Sequence, residues 1–243
     1  MRGQLRSELL KQRSTQTALF LFLALAGLVG LAVALHVLAL GKTQLATNAH
    51  QLEVFQIGTR AGMLFAALAG ALAITSEIRF GTIRPTFLVE PRRSPVLAAK
   101  LAVGALTGLV YGLLAEGLMA TFAAIAFSLR GIPNQLTGSD YTRILLGGAA
   151  AAALWAILGV GVGALVRNQV TALVGLCAWM FLVESVSEGF VPNAAKLMPG
   201  GAGLSLAGNE HKLSLGLAAL LLITSTTAAA AAGWVTTLRR DVA

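Results

Sequence analysis

Charged residues are scarce in this chain: they make up 12% of its 243 residues, against roughly 25% in ordinary soluble domains. Hydrophobic residues account for 56%. So few charged groups cannot cover a globule of this size with polar surface. The net charge of +8 comes from short basic clusters between apolar runs, where anionic lipid headgroups are nearer partners than nucleic acid. We therefore expect the lipid bilayer as a partner, and no nucleic acid.

Cysteine and aspartate are almost absent as well. The single cysteine, Cys177, lies inside an apolar run, which excludes a disulfide framework and a cysteine metal site. The two aspartates, Asp140 and Asp241, fall outside the apolar runs, and the histidine positions suggest no Ser-His pairing. His36 has no second His or carboxylate at metal-binding spacing beside it, and Glu210-His211 is not part of an H-E-x-x-H motif. A Gly-x-x-x-x-Gly-Lys-Ser/Thr phosphate loop is also missing. We therefore expect no catalytic site, no metal site and no cofactor bound by this chain.

What the chain does contain is long apolar runs. Six of them meet or approach the roughly 20 residues that a helix needs to cross a bilayer. They are Thr17–Leu40, Gln56–Ile78, Pro95–Phe127, Ile144–Val166, Val170–Val183 with an uncertain end, and Leu213–Leu238. The first is too long for the apolar region of a signal peptide, so we interpret it as an uncleaved anchor. No linker marks a second domain, so residues 1–243 are predicted to form one all-α integral membrane domain.

The basic residues are divided unequally between the two sides of such a membrane domain. With the N-terminus inside, 12 lie in cytoplasmic segments and 5 in outer segments. The cytoplasmic set is Arg2, Arg6, Lys11, Arg13, Arg79, Arg84, Arg92, Arg93, Lys100, Arg167, Arg239 and Arg240, and the outer set is Lys42, Arg130, Arg143, Lys196 and Lys212. Cytoplasmic segments carry the excess of Lys and Arg in membrane proteins. Both termini are therefore expected in the cytoplasm, in a multi-pass protein of the cell membrane.

Glycines recur at helical spacing inside three of the runs. They are Gly58 and Gly62, then Gly104, Gly108 and Gly112, and finally Gly159, Gly161 and Gly163. Helices in lipid associate through close packing, which small residues permit. We expect these glycines to pack helices within one subunit, with a subunit interface as the alternative.

Three ionisable residues fall inside apolar runs, namely Arg60, Glu116 and Glu184. Each costs about 2.5–3.5 kcal/mol at the bilayer centre, so each should face a cavity or a partner. We predict that they line a translocation path. The alternatives are a structural ion pair, a water-satisfied carboxylate or, for Arg60, a side chain that reaches the outer interface. A stand-alone channel or secondary transporter that uses Glu116 and Glu184 stays open as a second function.

A charged segment, residues 76–93, separates the second and third runs and reads SEIRFGTIRPTFLVEPRR. Glu77 and Arg79 are expected to pair at the membrane edge. Gly81 lets the backbone turn sharply there, and Thr82 can cap a short helix.

The predicted short helix places two large apolar side chains, Ile83 and Phe87, on one side at an i, i+4 spacing. Pro85 falls early in the helix, where its missing N–H costs little, and Pro91 and Pro95 end it. Three basic residues are expected to anchor the return at the headgroups: Arg92, Arg93 and Lys100. A loop that is basic only because it is cytoplasmic would explain the arginines but not the apolar pair.

The pattern Glu77-x-Arg79-x-Gly81-Thr82-Ile83, followed by Pro91-x-Arg93 and Lys100, resembles the loop after the second span in ABC-2-type permeases of bacitracin, lantibiotic and multidrug exporters. In that family the loop is a coupling helix that inserts into a separate ATPase. The resemblance implies ATPase-coupling roles for Glu77, Arg79, Gly81, Thr82, Ile83, Arg84 and Phe87.

The resemblance extends in outline over the whole chain. Arg2–Gln16 is similar to the family's amphipathic elbow helix, and Ser185–Lys212 is similar to the short helices on its outer face before the last span. It implies a second copy of the permease, two copies of the ATPase, and ATP with Mg²⁺ bound by the ATPase and not by this chain. The implied activity is export of a hydrophobic or amphipathic substrate such as a drug, peptide or lipid.

Overall fold

The computed structural model describes residues 2–14, 16–89, 93–208 and 213–239. For residues 2, 13, 14, 84, 87 and 89 it describes the backbone and not the side chain. Within these ranges the chain is helical between its turns and has no strand. Six helices are long and apolar enough to cross a membrane. They are span 1 (Gln16–Ala39), span 2 (Asn48–Arg79), span 3 (Arg93–Arg130), span 4 (Gly138–Val166), span 5 (Gln169–Phe190) and span 6 (Leu215–Arg239). The prediction of an all-α membrane protein is confirmed.

Several spans extend beyond the apolar runs that predicted them. Span 2 begins at Asn48 and span 4 at Gly138, each more than a turn before its apolar run. Backbone hydrogen bonding continues into these polar ends, and Thr137 caps span 4. The Thr137 N–H donates to the Asp140 carboxylate at 2.8 Å, and the Asp140 N–H donates back to the Thr137 hydroxyl at 3.3 Å. Hydropathy therefore located the lipid-facing part of each helix, but not its full length.

Within the described ranges, five shorter helices accompany the spans. They are the N-terminal helix (Arg2–Ser14), Lys42–Leu45, the loop helix between spans 2 and 3 (Ile83–Val89), Pro192–Ala195 and Pro199–Leu206. The N-terminal helix and the loop helix lie where the sequence predicted them. The last two confirm the short helices expected before span 6, and each starts with a proline, which fits the first helical position because its N–H would be unpaired there anyway.

Spans 2, 3 and 4 form the interior of the bundle, while spans 1, 5 and 6 lie at its periphery. The glycines sit where these helices touch. A Cβ built on Gly108 or Gly112 would lie only 2.6 Å and 2.7 Å from the backbone of span 4. A Cβ on Gly161 would lie 2.5 Å from the backbone of span 6. The prediction that the glycines pack helices within one subunit is confirmed for these positions.

One end of the bundle carries basic residues of the predicted cytoplasmic segments, such as Arg79 and Arg93. We call it the basic end. There Arg93, at the start of span 3, donates to the Thr237 carbonyl oxygen of span 6 at 2.8 Å. Arg79, at the end of span 2, donates to the Gln169 side chain of span 5 at 3.3 Å. These contacts bring together helix ends that the predicted topology places on one side.

The opposite end, which we call the cavity end, gathers the other helix termini. Arg130 of span 3 donates to the Leu40 carbonyl oxygen at 2.9 Å, just after span 1. Gln51 of span 2 donates to the Pro133 carbonyl oxygen at 2.8 Å, in the turn between spans 3 and 4. The alternation of ends along the chain agrees with six antiparallel crossings.

Candidate functional site

Four charged side chains meet at the basic end, where the N-terminal helix packs against spans 2 and 3; we call them the ion cluster. The Lys100 Nζ lies 2.9 Å from the Glu8 carboxylate and 2.8 Å from the Glu77 carboxylate. The Lys11 Nζ lies 2.8 Å from each of the same two carboxylates. Lys100 also donates to the Ala73 carbonyl oxygen at 2.9 Å. Three separate helices are thus joined by one set of charges.

Burial and charge oppose one another in the ion cluster. Glu8, Glu77 and Lys100 are all buried, and Lys100 is only 1% exposed. Burial by itself disfavours the ionised carboxylate of Glu8, but the charges of Lys100 and Lys11 outweigh it and hold the pKa of Glu8 below its usual value. Burial likewise opposes the Lys11 ammonium, but hydrogen bonds to Glu77 and Glu8 raise its pKa. Glu8 and Lys11 are therefore both charged at neutral pH.

The ion cluster overturns two predictions about the loop. Glu77 was expected to pair with Arg79, but span 2 stays helical through both residues, and positions i and i+2 point to different sides of a helix. Glu77 therefore turns inward to the cluster, while Arg79 turns outward over the Phe80 ring. Lys100 was expected at the headgroups, but it is buried. Ion pairs with residues of other helices determine the positions of both side chains. The local sequence pattern of the loop does not reveal such distant partners.

The turn into the loop helix was predicted correctly. Span 2 ends at Arg79, and Gly81 follows with φ +70°, in the left-handed region that glycine adopts without strain. Thr82 directly precedes the helix, and its hydroxyl donates to the Glu77 carbonyl oxygen at 3.5 Å. Pro85 is the third residue of the helix. The loop helix is thus connected to the ion cluster through one short, sharply bent link.

The side chains that the loop exposes differ from those expected. Ile83 is buried, with 4% exposure, so it packs within this chain. Phe80 and Leu88 are instead 71% and 81% exposed. The side chains of Arg84 and Phe87 lie outside the part of the chain that the structure describes, as do Pro91 and Arg92. Among the described residues, the apolar surface of the loop comes from Phe80 and Leu88.

A cavity of about 530 Å³ opens at the cavity end, between the start of span 2, span 4 and the two short helices before span 6. We call it the polar cavity. Its polar lining includes Asn48, Glu53, Gln56, Thr59, Arg60, Glu188 and Lys196. Inside it the Arg60 guanidinium contacts both carboxylate oxygens of Glu188, at 2.6 Å and 2.5 Å. Arg60 therefore has a partner from span 5 and faces a cavity, as intramembrane charges are expected to do.

Glu116 lies directly behind the wall of the polar cavity. It is 2% exposed, and the Thr59 hydroxyl donates to its Oε1 at 2.6 Å. Its Oε2 is buried and has no hydrogen-bond partner among the described residues. A Cβ built on Gly58 would lie 3.1 Å from the Glu116 carboxylate, so glycine makes the room for it. This half-satisfied carboxylate is a costly group to keep inside a helix bundle.

Glu184 sits in a widened π-helical turn of span 5, Trp179–Glu184. Its Oε1 accepts the Trp179 indole N–H and the Gly200 backbone N–H, both at 2.8 Å. Such turns bring side chains five residues apart onto one face and recur at functional positions. Glu184 is also close enough to Arg60 and Glu188 to interact with them electrostatically.

The three predicted path residues thus share one neighbourhood, with Arg60 in the polar cavity, Glu116 behind it and Glu184 beside it. The sequence prediction missed Glu188 and Thr59. Glu188 follows Glu184 by one turn in the polar last part of span 5, which was a usable signal. Among the described residues, no group of three or more His, Cys, Asp or Glu side chains could hold a metal ion.

The sequence matches no protein-family model, and no curated protein is similar to it at a significant level. The function is therefore inferred from the sites themselves.

Proposed function

We propose that the chain is the permease subunit of an ATP-binding-cassette exporter of the ABC-2 type. A separate ATPase subunit, present in two copies, would bind ATP with Mg²⁺, and a second copy of this chain would complete the transporter. The basic end would face the cytoplasm, in line with the excess of Lys and Arg there. The exported substrate would be hydrophobic or amphipathic, moved across or out of the membrane.

One observation carries this proposal: a short exposed helix stands between spans 2 and 3, next to the buried charges that join these two spans to the N-terminal helix. The loop helix follows Gly81, and the ion cluster lies immediately behind it. A cleft of about 410 Å³ separates the loop helix from the N-terminal helix, with Ser7, Lys11, Pro85 and Thr86 among its lining residues. An exposed leucine on the loop helix, beside a cleft that both apolar and charged side chains line, suits a partner protein better than lipid headgroups.

The fold offers a route by which force on this loop would reach the polar cavity. Span 2 carries Glu77 of the ion cluster near its C-terminal end and Arg60 in its N-terminal half. The two residues are 17 positions apart, which is about 26 Å of helix at 1.5 Å per residue. Because the ion cluster ties the N-terminal helix and span 3 to span 2, a push on the loop helix would move these three helices together. The polar cavity would then change shape, since span 2 forms one of its walls.

Leu88→Ala tests the proposed contact with an ATPase. Leu88 is 81% exposed on the loop helix, and apolar anchors of interfaces commonly contribute about 2 kcal/mol or more. We expect the variant to weaken co-purification of the ATPase at least about tenfold, or to uncouple ATP hydrolysis from transport. The matched control is Leu129→Ala, because Leu129 is 83% exposed at the other end of span 3. Equal ATPase recovery and transport in parent and Leu88→Ala would contradict the assignment.

A secondary transporter or channel is the second candidate, and the buried Glu116 oxygen without a partner favours it. Such a carboxylate beside a cavity can bind and release a proton or a cation. Glu116→Gln removes that ability and keeps the acceptor for Thr59. Transport that depends on a proton or ion gradient in the parent, and loses this dependence in Glu116→Gln, would establish the second candidate. Transport that needs ATP and is unchanged by the substitution would exclude it.

A further inference from the structure

Arg60 lines two different cavities. One is the polar cavity, and the other is a groove of about 240 Å³ between spans 1, 2 and 5, which we call the apolar groove. Its lining is apolar apart from Arg60 and Ser185, and includes Leu28, Ala32, Ile57, Leu64, Met180 and Phe181. Leu28 and Phe181 are 36% and 55% exposed, so the groove lies at the surface of the bundle that faces the bilayer. One guanidinium therefore stands at the boundary between a polar space and a lipid-facing apolar one.

Among the residues that the structure describes, the charged lining of the polar cavity consists of two cations, Arg60 and Lys196, and two anions, Glu53 and Glu188. Both signs of charge are therefore present in this space. A purely anionic or purely cationic group would meet repulsion from one pair as well as attraction from the other. A group that carries both signs finds a partner for each.

We propose that the polar cavity and the apolar groove together bind one zwitterionic lipid, with its headgroup beside Arg60 and Glu188 and an acyl chain in the groove. This inference rests on the proposed export function and names the substrate class for it. Charges of both signs in one space, apolar lining in the other and Arg60 shared between them select an amphiphile over a wholly polar or wholly apolar molecule.

The Arg60–Glu188 pair suits exchange with such a headgroup. Its two side chains are 26% and 30% exposed, so the pair is reachable from the cavity. A phosphate can take the place of the Glu188 carboxylate on the guanidinium, in the two-pronged geometry that arginine favours. The ammonium of the same headgroup can then lie against the Glu188 carboxylate. Each charge of the headgroup then faces an opposite charge of the protein.

Photolabelling of the intact chain in phosphoglycerol nanodiscs, whose lipid is a weak competitor for the proposed site, tests the site directly. Two phosphocholine lipids are used, one with a diazirine in the headgroup and one with a diazirine at the end of an acyl chain. We expect the headgroup probe to label Glu53, Glu188 or Lys196, and the chain-end probe to label Leu28, Met180 or Phe181. Chain-end labels spread evenly over exposed residues of span 1 such as Leu31 and Leu35 would indicate surface lipid only and overturn the proposal.

Two substitutions sharpen this experiment. Ala32→Trp fills the apolar groove and should remove most chain-end labelling, whereas Ala34→Trp, on the exposed side of span 1, should leave it unchanged. Arg60→Gln should weaken headgroup labelling by about tenfold, the loss typical of one hydrogen bond to a charged group. Unchanged labelling in both Ala32→Trp and Arg60→Gln would refute the site.

Competition by other lipids identifies the headgroup. Phosphocholine or phosphoethanolamine lipids should displace the probe, while a phosphoglycerol lipid or an alkyltrimethylammonium with the same chains should displace it at least about tenfold less well. Equal displacement by all four would show that the charges do not select the headgroup, and would overturn the zwitterionic assignment.

The labelling needs no ATPase, so its outcome is separate from that of the exporter proposal. Specific labelling without any ATPase partner would leave the lipid site standing and remove the exporter. An ATPase partner together with unspecific labelling would support the exporter and refute the lipid site.

Discussion

The two ends of this bundle use charge in opposite ways. At the basic end, Glu8, Glu77 and Lys100 are buried and share their ion pairs with Lys11, the partly exposed member of the cluster. At the cavity end, the paired side chains of Arg60 and Glu188 are 26% and 30% exposed to a cavity. Buried charges that are shared between helices hold those helices together, whereas an ion pair that a cavity reaches can exchange partners. We therefore propose force transmission for the first end and recognition for the second.

Removing Lys100 should have the largest effect. Lys100→Met leaves two buried carboxylates with Lys11 as their remaining cation, and breaking a buried ion pair in this way costs about 3–5 kcal/mol. We expect a marked fall in the melting temperature of the purified protein, followed by the intrinsic fluorescence of its tryptophans. Lys42→Met is the control, because Lys42 is exposed at the cavity end. Equal melting temperatures for both variants would show that the ion cluster does not hold the bundle.

Substitution of Glu184 should have the second-largest effect on stability. Its carboxylate accepts two N–H groups and makes no direct ion pair among the described residues. Glu184→Ala leaves the Trp179 indole N–H and the Gly200 N–H without their acceptor, which costs about 1–3 kcal/mol. Glu184→Gln keeps an oxygen at the same place and should retain most of the stability. The two losses of stability separate the roles of Glu184. If Glu184→Gln destabilises the protein as much as Glu184→Ala, the charge of Glu184 stabilises the protein and its role as an acceptor does not.

The Arg60–Glu188 pair should contribute least to stability among the ionic contacts compared here. Arg60→Gln should cost at most about 1 kcal/mol, since partly exposed pairs are worth little and Glu188 can be solvated in the cavity. Melting temperature measured beside that of Lys100→Met checks this order. A loss as large as that of Lys100→Met would place Arg60–Glu188 among the structural contacts and remove the distinction between the two ends.

The smallest effect is a pH dependence of the N-terminal helix. Because the pKa of Glu8 is lowered by its contacts with Lys100 and Lys11, its contribution is present above the ordinary carboxyl value of 4.5 and is lost as pH falls below it. The raised pKa of Lys11 means that its contribution persists until pH rises beyond 10.5. The buried Glu77 completes the set of charged groups around both. The helix should stay docked across the neutral range.

A spin label on Arg6→Cys, with Cys177→Ala to remove the native thiol, reports this docking. Label mobility should be constant from about pH 6 to 9 and should rise as the medium is acidified through the Glu8 transition. A label on Ser139→Cys, at the exposed start of span 4, should not respond. A mobile label at neutral pH would mean that the N-terminal helix is not held by the cluster.

The sequence predicted the spans and the bend into the loop because both depend on local properties. An apolar run of sufficient length specifies a span, and Gly81 specifies a sharp turn whatever surrounds it. The ion-pair partners of Glu77 could not be predicted from the local sequence, because Lys11 and Lys100 come from two other helices. The same holds for Ile83, whose burial depends on how the loop helix packs back onto the chain.

At the cavity end, hydropathy marked the costly residues but not their arrangement. Arg60, Glu116 and Glu184 stood out because lipid penalises charge. That they share one neighbourhood follows from the packing of spans 2, 3 and 5 against one another, which the sequence does not state. Glu188 escaped attention because it lies in a polar stretch, where a carboxylate needs no explanation.

The central claim is that force on the loop helix reaches the polar cavity through span 2. Spin labels on Ala49→Cys and Asn193→Cys, both exposed at that cavity, measure its width when Cys177 is replaced by Ala. In a complex with the proposed ATPase partner, we expect the distance distribution between the labels to shift on addition of ATP, Mg²⁺ and vanadate, and the shift to vanish in Leu88→Ala. A distribution that stays the same with and without nucleotide, in a complex that hydrolyses ATP, would contradict the account.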